Sequence, residues 1–411
     1  MCGISGRVNF YTNEVNRDSL ILSIDKLESR GPDNRGIWID EGCGLAHRRL
    51  SILDLSDSGN QPMTSSDGRF VCVFNGEIYN YKQIRDQLGS NILWKSTSDT
   101  EVLLEAWSKW GKETVNKLDG MFAFVIWDKD KKRIFAARDR IGEKPFYYHW
   151  NGKEFSFASR PSALFTLNNS ISKDFDNQAL RYFLESGYVP APHSIHRDIK
   201  KLEPSSILEV DKNRLNINKY WDHSNFETEN TWNHRKEEDL LDELDEILTK
   251  SVLDRMVSDV PLGAFLSGGI DSSLIVAIMA KHSSKDIKTF TIGFKEKDYD
   301  ESHHAKAVAE SIGTDHYSEE LGVNQLLDLM PDFLINYDEP FFDSSAFPTL
   351  AVSRLAKKHV TVSLSGDGGD ELFGGYHYYK IAKYLNPFFY SPKIIRNLTS
   401  PLYLEISIIF C

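Results

Sequence analysis

Cysteine is scarce in this chain of 411 residues, which has only four, at positions 2, 43, 72 and 411. Their scattered positions match neither a disulfide framework nor the paired spacing of a metal-binding motif. Such sparse usage is typical of a reducing compartment, so we expect a cytoplasmic protein.

Long apolar runs and an excess of basic charge are also missing. No run reaches the ~20 residues of a membrane-spanning helix, and the N-terminus lacks the basic-then-apolar pattern of a signal peptide. The 48 Lys and Arg against 60 Asp and Glu give a net charge of −12. A broad nucleic-acid surface needs basic residues to neutralise phosphates. We therefore expect neither a nucleic-acid nor a membrane partner.

The first half of the chain is rich in predicted strands. Short apolar runs at 70–74, 121–127, 133–137, 145–150 and 155–159 are separated by turn residues, which predicts antiparallel sheets. Helices are predicted at about 17–28 and 100–110. Sheets covered by helices give a layered α+β domain.

The polar stretch 211–236 is predicted to be a linker between a domain at 1–210 and a second at 237–411. After a predicted helix at about 237–257, strands at 260–266, 288–294, 314–318 and 360–364 alternate with helices, which predicts a parallel, doubly wound α/β sheet. Ligands bind beyond the carboxyl ends of such strands. Two glycine-rich loops, 267–269 and 366–369, follow predicted strands.

Cys2 is the first candidate catalytic residue. Removal of Met1 would leave a thiol and a free α-amine on one residue, a nucleophile with its own base, since an α-amine titrates near pH ~7.7–8.0. A lone cysteine usually carries no function, so the interpretation depends on its partners.

Several polar residues in the first half are such partners. Arg49 offers a two-pronged clamp for a carboxylate, or it lies on a solvated strand face. Asn75 and Gly76 offer an oxyanion hole, or they form a hairpin turn. Glu77 and Asp99 would receive an ammonium, although Asp99 alone is as typical of a helix N-cap. Together they suit a free amino acid whose side chain reaches Cys2.

The segment SGGIDSS at 267–273 is the second candidate site. Its glycines and a helix N-terminus suit phosphate oxygens, with hydroxyls from Ser267, Ser272 and Ser273. Asp271 beside phosphates indicates Mg²⁺. The lysine of a Walker motif is absent, which argues against γ-phosphate transfer. A plain strand-to-helix turn fits poorly, because TFTIGF (289–294) and SGDGGDELFGGY (365–376) follow.

Motifs along the whole chain resemble the glutamine-hydrolysing asparagine synthetase family. In the first half they are MCGI, RGPD, RRLSILD, NGEIYN, SDTE, DGMFAF and RDRIGEKPFYY; in the second half they are the three segments above. The resemblance implies an αββα domain like that of the N-terminal-nucleophile (Ntn) hydrolases and a second domain like that of the ATP pyrophosphatases.

For the first domain the resemblance implies that Cys2 attacks the glutamine amide and forms a thioester. Asn75 and Gly76 would stabilise the oxyanion, and Arg49 would hold the substrate carboxylate. Glu77 and Asp99 would hold its ammonium. The pocket would also be lined by the rest of the loop, Leu50, Ser51, Ile52 and Leu53. Arg30 would order a neighbouring loop.

For the second domain the resemblance implies a site for ATP and Mg²⁺. Leu266 and Ile292 would border the adenine, and Ser365 and Gly366 would contact the nucleotide. The pyrophosphate would lie on Ser267, Gly268, Gly269, Asp271, Ser272 and Ser273, with Asp271 and Asp370 holding the metal. Asp367 stands where many members carry Glu, which is thought to assist ammonia attack.

Two departures from the family pattern stand out. Arg160 occupies a place that is usually acidic, which predicts altered contacts with the second domain. Only 35 residues follow Tyr376, so the second domain is predicted to be incomplete. The segment 338–348 is predicted to lie at the acceptor site, or to be a helix boundary.

The expected activity is a glutamine-dependent asparagine synthetase that activates aspartate as β-aspartyl-AMP. Its substrates would be small molecules, and a homodimer is left open. The alternatives are the same chemistry on another carboxylate, such as a sugar acid, a glutaminase with an inactive second half, and a non-catalytic nucleotide-binding subunit.

Overall fold

A computed structural model describes residues 1–12, 14–225, 235–296 and 300–389, without the side chains of 225 and 385–389. The elements of the first half alternate strands with short helices. They are β1 (Gly3–Asn9), α1 (Arg17–Asp25), β2 (Asn34–Asp40), β3 (Cys43–Arg49), β4 (Met63–Thr64), β5 (Phe70–Ile78), α2 (Tyr81–Leu88), α3 (Asp99–Trp110), α4 (Thr114–Lys117), β6 (Gly120–Asp128), β7 (Arg133–Arg138), β8 (Tyr147–Trp150), β9 (Glu154–Ala158), α5 (Pro161–Leu167), α6 (Asn177–Ser186), β10 (Lys200–Lys201), β11 (Ser206–Val210) and β12 (Leu215–Lys219).

Two six-stranded antiparallel sheets stack on each other in this half. Their strand orders are β10-β8-β9-β1-β3-β2 and β12-β11-β7-β6-β5-β4. The side chains of strand β5 show how the layers are held together. Val71 and Val73 pack between the sheets, while Cys72 and Phe74 pack in a second core under α2 and α3. Helices α1 and α5 cover the other sheet. The predicted αββα layering is confirmed: inner strands such as β5 bury one face between the sheets and the other under the helices.

The second half is built on one parallel sheet. Its elements are α7 (Glu237–Arg255), β13 (Leu262–Phe265), α8 (Ile270–His282), β14 (Lys288–Phe294), α9 (Ser302–Ile312), β15 (Asp315–Leu321), α10 (Val323–Leu327), α11 (Met330–Asn336), α12 (Ala346–Lys357), β16 (Val362–Leu364), α13 (Gly369–Phe373) and α14 (His377–Phe389).

The four parallel strands run in the order β15-β14-β13-β16 and have helices on both faces. Ala264 and Leu266 pack with residues of α7, α8 and α9, whereas Phe265 packs with Leu355 of α12. The doubly wound prediction is therefore confirmed. Successive strands are added on one side of β13 as far as β15, and then β16 is added on the other side. In such sheets the ligand crevice lies where the strand order reverses, here between β13 and β16.

Local structure departs from the sequence prediction at two places. The predicted linker 211–236 contains β12, which pairs with β11 from Ser206↔Lys219 to Val210↔Leu215, so its first part belongs to the second sheet. Residues 226–234 of that stretch lie outside the described residues. The apolar pattern also predicts one helix at about 323–337, whereas the structure has two, α10 and α11. Pro331 lies in the first turn of α11, where its missing N–H removes no helical bond.

The C-terminal end of the chain is not described, and no described helix could span a membrane. Residues 390–411, which include Cys411, lie outside the described residues. No helix within the described ranges has the length and apolar character needed to cross a bilayer.

Candidate active sites

The thiol of Cys2 opens onto a cavity at the edge of the two stacked sheets. Cys2 is half-buried, and its Sγ accepts a hydrogen bond from the Leu50 N–H at 3.4 Å. Arg30 donates from Nε to the Cys2 carbonyl at 3.0 Å, which holds the residue in place. Burial raises the pKa of the Cys2 thiol, although the nearby N-terminal amine opposes this shift. Burial also lowers the pKa of that amine, here on Met1, to about 6.

The free edge of β5 forms one wall of this cavity. Two side chains replace a neighbouring strand here: Gln61 Oε1 accepts from the Phe74 N–H at 2.6 Å, and Asp99 Oδ2 accepts from the Ile78 N–H at 3.0 Å. Because alternate residues of a strand point the same way, the Gly76 N–H faces this same edge. It is therefore directed at the cavity.

Asn75 is the most telling residue of this wall. It is fully buried and lines the cavity, yet neither atom of its side-chain amide has a hydrogen-bond partner. A buried unpaired amide is unfavourable, so this side chain beside a nucleophile is a candidate donor for a ligand. Glycine is required next to it, since a Cβ at Gly76 would collide with the Met121 carbonyl. Asn75 and Gly76 are thus brought together as the sequence predicted.

Two carboxylates form the acidic end of the cavity. Glu77 and Asp99 both line it, and Glu77 Oε1 is buried without a partner. Burial, with the neighbouring Asp99, raises the pKa of Glu77 to about 7. Burial likewise raises the pKa of Asp99 to about 6, despite its hydrogen bonds from Ile78 and Thr100. Asp99 is the first residue of α3, and the N-cap is Ser98, whose side chain accepts from Thr100 N.

These raised pKa values predict a pH dependence of glutamine use. A carboxylate with a raised pKa is neutral below that value and attracts an ammonium only above it. We expect kcat/KM for glutamine to fall about fivefold between pH 7 and pH 6, where Glu77 takes up a proton. The measurement is glutamate formation from pH 5.5 to 8.5. In Glu77→Gln the step near pH 7 should vanish; its persistence would contradict the assignment.

Arg49 lines the cavity but is bound to its own loop. Nη1 donates to the Ser56 carbonyl and to Asn60 Oδ1, each at 2.9 Å. Nη2 donates to the Leu53 carbonyl at 3.1 Å and to the Asp54 carbonyl. The four terminal N–H groups are thus engaged, and a substrate carboxylate must bind at Nε or displace one of these acceptors. The carboxylate clamp stays a prediction.

We expect Arg49→Ala to raise KM for glutamine by about thirtyfold or more, because a buried charge partner is lost. Since the side chain also joins several carbonyls of the loop, the melting temperature should fall as well. Initial-rate kinetics and thermal denaturation check both. Arg49→Lys keeps the charge and not the geometry, so an intermediate KM is expected; an unchanged KM in both variants would contradict the clamp.

The rest of the predicted loop divides into two groups. Leu50, Ile52 and Leu53 line the cavity, but Ser51 does not. Its N–H donates instead to Asp33 Oδ2 at 2.7 Å, which ties it to the RGPD loop. A substrate contact by Ser51 stays a prediction without support from this geometry.

Gln61 and Lys144 are among the cavity residues that sequence reasoning missed. Gln61 joins β5 to α3, because its Nε2 donates to Thr100 Oγ1 at 3.1 Å while its Oε1 binds Phe74 N–H. Lys144 is buried, lines the cavity near Glu77, and has a pKa lowered by burial. Lys144 lies inside RDRIGEKPFYY, so the motif carried a signal; Gln61, 38 residues before Asp99, had none.

A second cavity lies at the carboxyl ends of β13 and β16. Most of the predicted nucleotide residues line it: Leu266, Ser267, Gly269, Asp271, Ser272, Ile292, Ser365, Gly366, Asp367 and Asp370. Gly268 and Ser273 do not. A Cβ at Gly268 would collide with His304 and Ala305 at the start of α9, and its φ of 84° favours glycine. Nucleotide contacts by these two residues stay predictions.

Hydroxyls and carboxylates line this second cavity. Ser267 and Ser272 share a hydrogen bond of 2.9 Å, and Ser365 Oγ donates to Asp367 Oδ2 at 2.9 Å. The carboxylate of Asp271 packs against Gly369, next to Asp370. Within the described ranges, no group of three or more potential ligands from His, Cys, Asp and Glu forms a ready metal cage.

Arg160 joins the two halves of the molecule. Its Nη2 donates to a carboxylate oxygen of Asp338 and to the Ile335 carbonyl. Arg160 therefore contacts the second domain, while a change from the family's usual contacts stays a prediction. Glu339, which follows Asp338, accepts a hydrogen bond from Tyr147 Oη at 2.9 Å and forms a salt bridge with Lys201 at 2.6 Å.

The placement of the acceptor at segment 338–348 stays a prediction. Its acidic start faces the first domain, because Arg160, Tyr147 and Lys201 are there to bind it. Only Ser345 and Pro348 of the segment line the nucleotide cavity.

Comparison with known proteins supports the two-part geometry. Residues 1–221 match the glutamine amidotransferase domain family, and residues 243–405 match the asparagine synthase family. A putative asparagine synthetase [glutamine-hydrolyzing] 2 of Methanocaldococcus jannaschii is 38% identical over 398 residues, covering 92% of this chain and 76% of that protein. The chain belongs to the glutamine-hydrolysing asparagine synthetase family.

Another family member has a longer chain. Asparagine synthetase [glutamine-hydrolyzing] 1 of Bacillus subtilis is 37% identical over 402 residues, which cover 97% of this chain and 62% of that protein. Among solved structures, glutamine phosphoribosylpyrophosphate amidotransferase of B. subtilis matches with a TM-score of 0.40 and 15% identity, over 77% of this chain and 65% of that one.

Proposed function

We propose that the first domain hydrolyses glutamine at Cys2. One observation carries this: the thiol opens onto the same cavity as an unpaired, fully buried amide and two carboxylates. Such a cavity suits a small zwitterion with an amide at its far end. The amide carbonyl would lie between the Asn75 side chain and the Gly76 N–H, and the ammonium at Glu77 and Asp99.

In this reaction the Cys2 sulfur attacks the glutamine amide carbon after its proton passes to the α-amine exposed by removal of Met1. Negative charge collects on the amide oxygen, where Asn75 and Gly76 donate hydrogen bonds. The protonated amine then delivers a proton to the leaving nitrogen, ammonia departs, and a thioester remains. Water hydrolyses the thioester to glutamate.

We infer that the second domain uses ATP with Mg²⁺ to activate a carboxylate. The described lining of its cavity carries Asp271, Glu301, Asp367 and Asp370 but no Lys or Arg. A polyphosphate is repelled by such a lining unless a divalent cation lies between. Asp271 and Asp370 are the residues that would hold this Mg²⁺, which neutralises the pyrophosphate leaving group when bound.

Aspartate is the acceptor that we propose, through β-aspartyl-AMP, with asparagine, AMP and pyrophosphate as products. Family membership supports this choice. A different carboxylate is the second candidate, favoured by Asp367, which stands where many members carry Glu and is one methylene shorter.

Pyrophosphate release in the presence of glutamine, ATP, Mg²⁺ and a panel of carboxylic acids tests the second-domain reaction. Release that depends on aspartate supports the proposal, while release with a sugar acid alone identifies the other acceptor. Glutamate formation without any pyrophosphate indicates a glutaminase only. If neither glutamate nor pyrophosphate forms, the result indicates a non-catalytic nucleotide-binding protein.

Asp271→Asn gives a sharper test of the metal assignment. The variant keeps the shape of the side chain and loses its charge, so pyrophosphate release should fall by about tenfold or more and require more Mg²⁺. Glutaminase activity should stay unchanged, because Asp271 lies in the other cavity. Wild-type pyrophosphate release at low Mg²⁺ would contradict the role.

A further inference from the structure

The loop after β3 contains a backbone turn that is unfavourable for its residue. Asp54 has a φ of 54°, in the left-handed region that non-glycine residues seldom adopt. Such a conformation persists only where surrounding contacts hold it. The turn follows directly on Ile52 and Leu53, which line the glutamine cavity.

Contacts from two directions hold this turn. The Asp54 N–H donates to Asp259 Oδ2 at 2.8 Å, and the Asp54 carbonyl accepts from Arg49. In return, the Asp259 N–H donates to the Ile52 carbonyl at 3.0 Å. Asp259 belongs to the second domain, so a residue 205 positions away sets the loop that lines the glutamine cavity.

Asp259 is also close in sequence to the nucleotide site. Three residues after it, β13 begins at Leu262, and this strand leads straight to Ser267 and Gly269 in the second cavity. The Asp259 contact therefore lies on a short, regular path between the two cavities.

We propose that Asp259 is a positioning residue of the glutamine site, supplied by the second domain. Its carboxylate holds the Asp54 turn and thereby the acceptors that orient Arg49, so the glutamine pocket is incomplete without this residue. The inference rests on the proposed glutaminase activity.

Asp259→Ala and Asp259→Asn test the role, with Asp254→Ala as the matched control. Asp254 precedes the same segment and forms a salt bridge with Lys250 one turn earlier in α7, its sole ion pair among the described residues. Because a hydrogen bond to a charged group is worth roughly tenfold in an equilibrium constant, Asp259→Ala should raise KM for glutamine roughly tenfold. Asp259→Asn retains an acceptor oxygen and should restore most of the affinity. Asp254→Ala should match wild type.

A structural defect is distinguished by the reactivity of Cys2. Alkylation by iodoacetamide, which needs no substrate pocket, should keep its rate within twofold in Asp259→Ala. Equal loss of both glutamine use and alkylation, together with a lower melting temperature in Ala and Asn variants alike, would overturn the positioning role. So would a KM within twofold of wild type in Asp259→Ala.

Hydrogen exchange gives a readout that does not need activity. The Asp54 amide is held by Asp259, so peptides covering 51–60 should exchange at least about tenfold faster in Asp259→Ala than in wild type. If the wild-type protein hydrolyses no glutamine, the proposed function fails while this exchange experiment still decides the contact. Unchanged exchange would overturn the inference.

Discussion

Cys2→Ala is expected to abolish glutamine hydrolysis, lowering glutamate formation by at least about 10⁴-fold, since the thiol makes the bond that defines the reaction. Ammonia-dependent pyrophosphate release should be retained, because the second cavity shares no lining residue with the first. Both rates are measured on the same preparation, with glutamine or an ammonium salt as nitrogen donor. Loss of both activities would contradict the two-site arrangement.

Chemical labelling provides the control for this variant. A thiol-directed glutamine analogue should add one mass to wild type and none to Cys2→Ala. Cys43 and Cys72 are buried and should stay unlabelled in the folded protein. Intact-mass analysis of active protein should also show that Met1 has been removed; active protein that keeps Met1 would contradict the mechanism.

Asn75→Ala is expected to lower kcat for glutamine by about 10²–10³, which is typical of removing one oxyanion donor. KM should change little, because the donor acts mainly on charge that develops in the transition state. Stability should not fall as it does for an ordinary buried amide, since the Asn75 side chain has no hydrogen bond to lose. Steady-state kinetics and thermal denaturation separate these effects.

Asn80 is the matched control, because it lies in the same NGEIYN segment but outside the cavity. Its side chain donates to the Lys117 carbonyl and accepts from the Asp119 N–H, each at 2.9 Å. Asn80→Ala should therefore lower the melting temperature and leave kcat near wild type. If Asn80→Ala lowered kcat as much as Asn75→Ala does, this result would contradict the oxyanion assignment.

Local sequence patterns predicted most of the fold. The apolar runs of β5 and β6 and the strand–helix rhythm after residue 260 correspond to the observed sheets, because strands that are covered on both faces must be apolar at successive positions. The pattern failed at Leu215–Lys219, where a polar, exposed edge strand has little side-chain signal. Its pairing comes from backbone hydrogen bonds, which sequence patterns do not encode.

The candidate sites were predictable where one motif contributes both the residue and its setting. Asn75 and Gly76 follow from NGEIYN, and Ser267 to Ser272 follow from SGGIDSS. Arg49 shows the limit: the sequence suggested a substrate clamp, whereas the guanidinium is bound by carbonyls of its own loop. Which acceptor an arginine meets depends on loop conformation, and that conformation is a tertiary property.

By itself the sequence determined which chemical groups this protein possesses and roughly which element carries each, because periodicity, caps and glycine-rich turns are local properties. Tertiary structure alone decided how distant groups meet. Examples are Gln61 between β5 and α3, Arg160 on Asp338, and Asp259 on the Asp54 turn. Such contacts join residues up to 205 positions apart, and their distances depend on how whole sheets and domains pack.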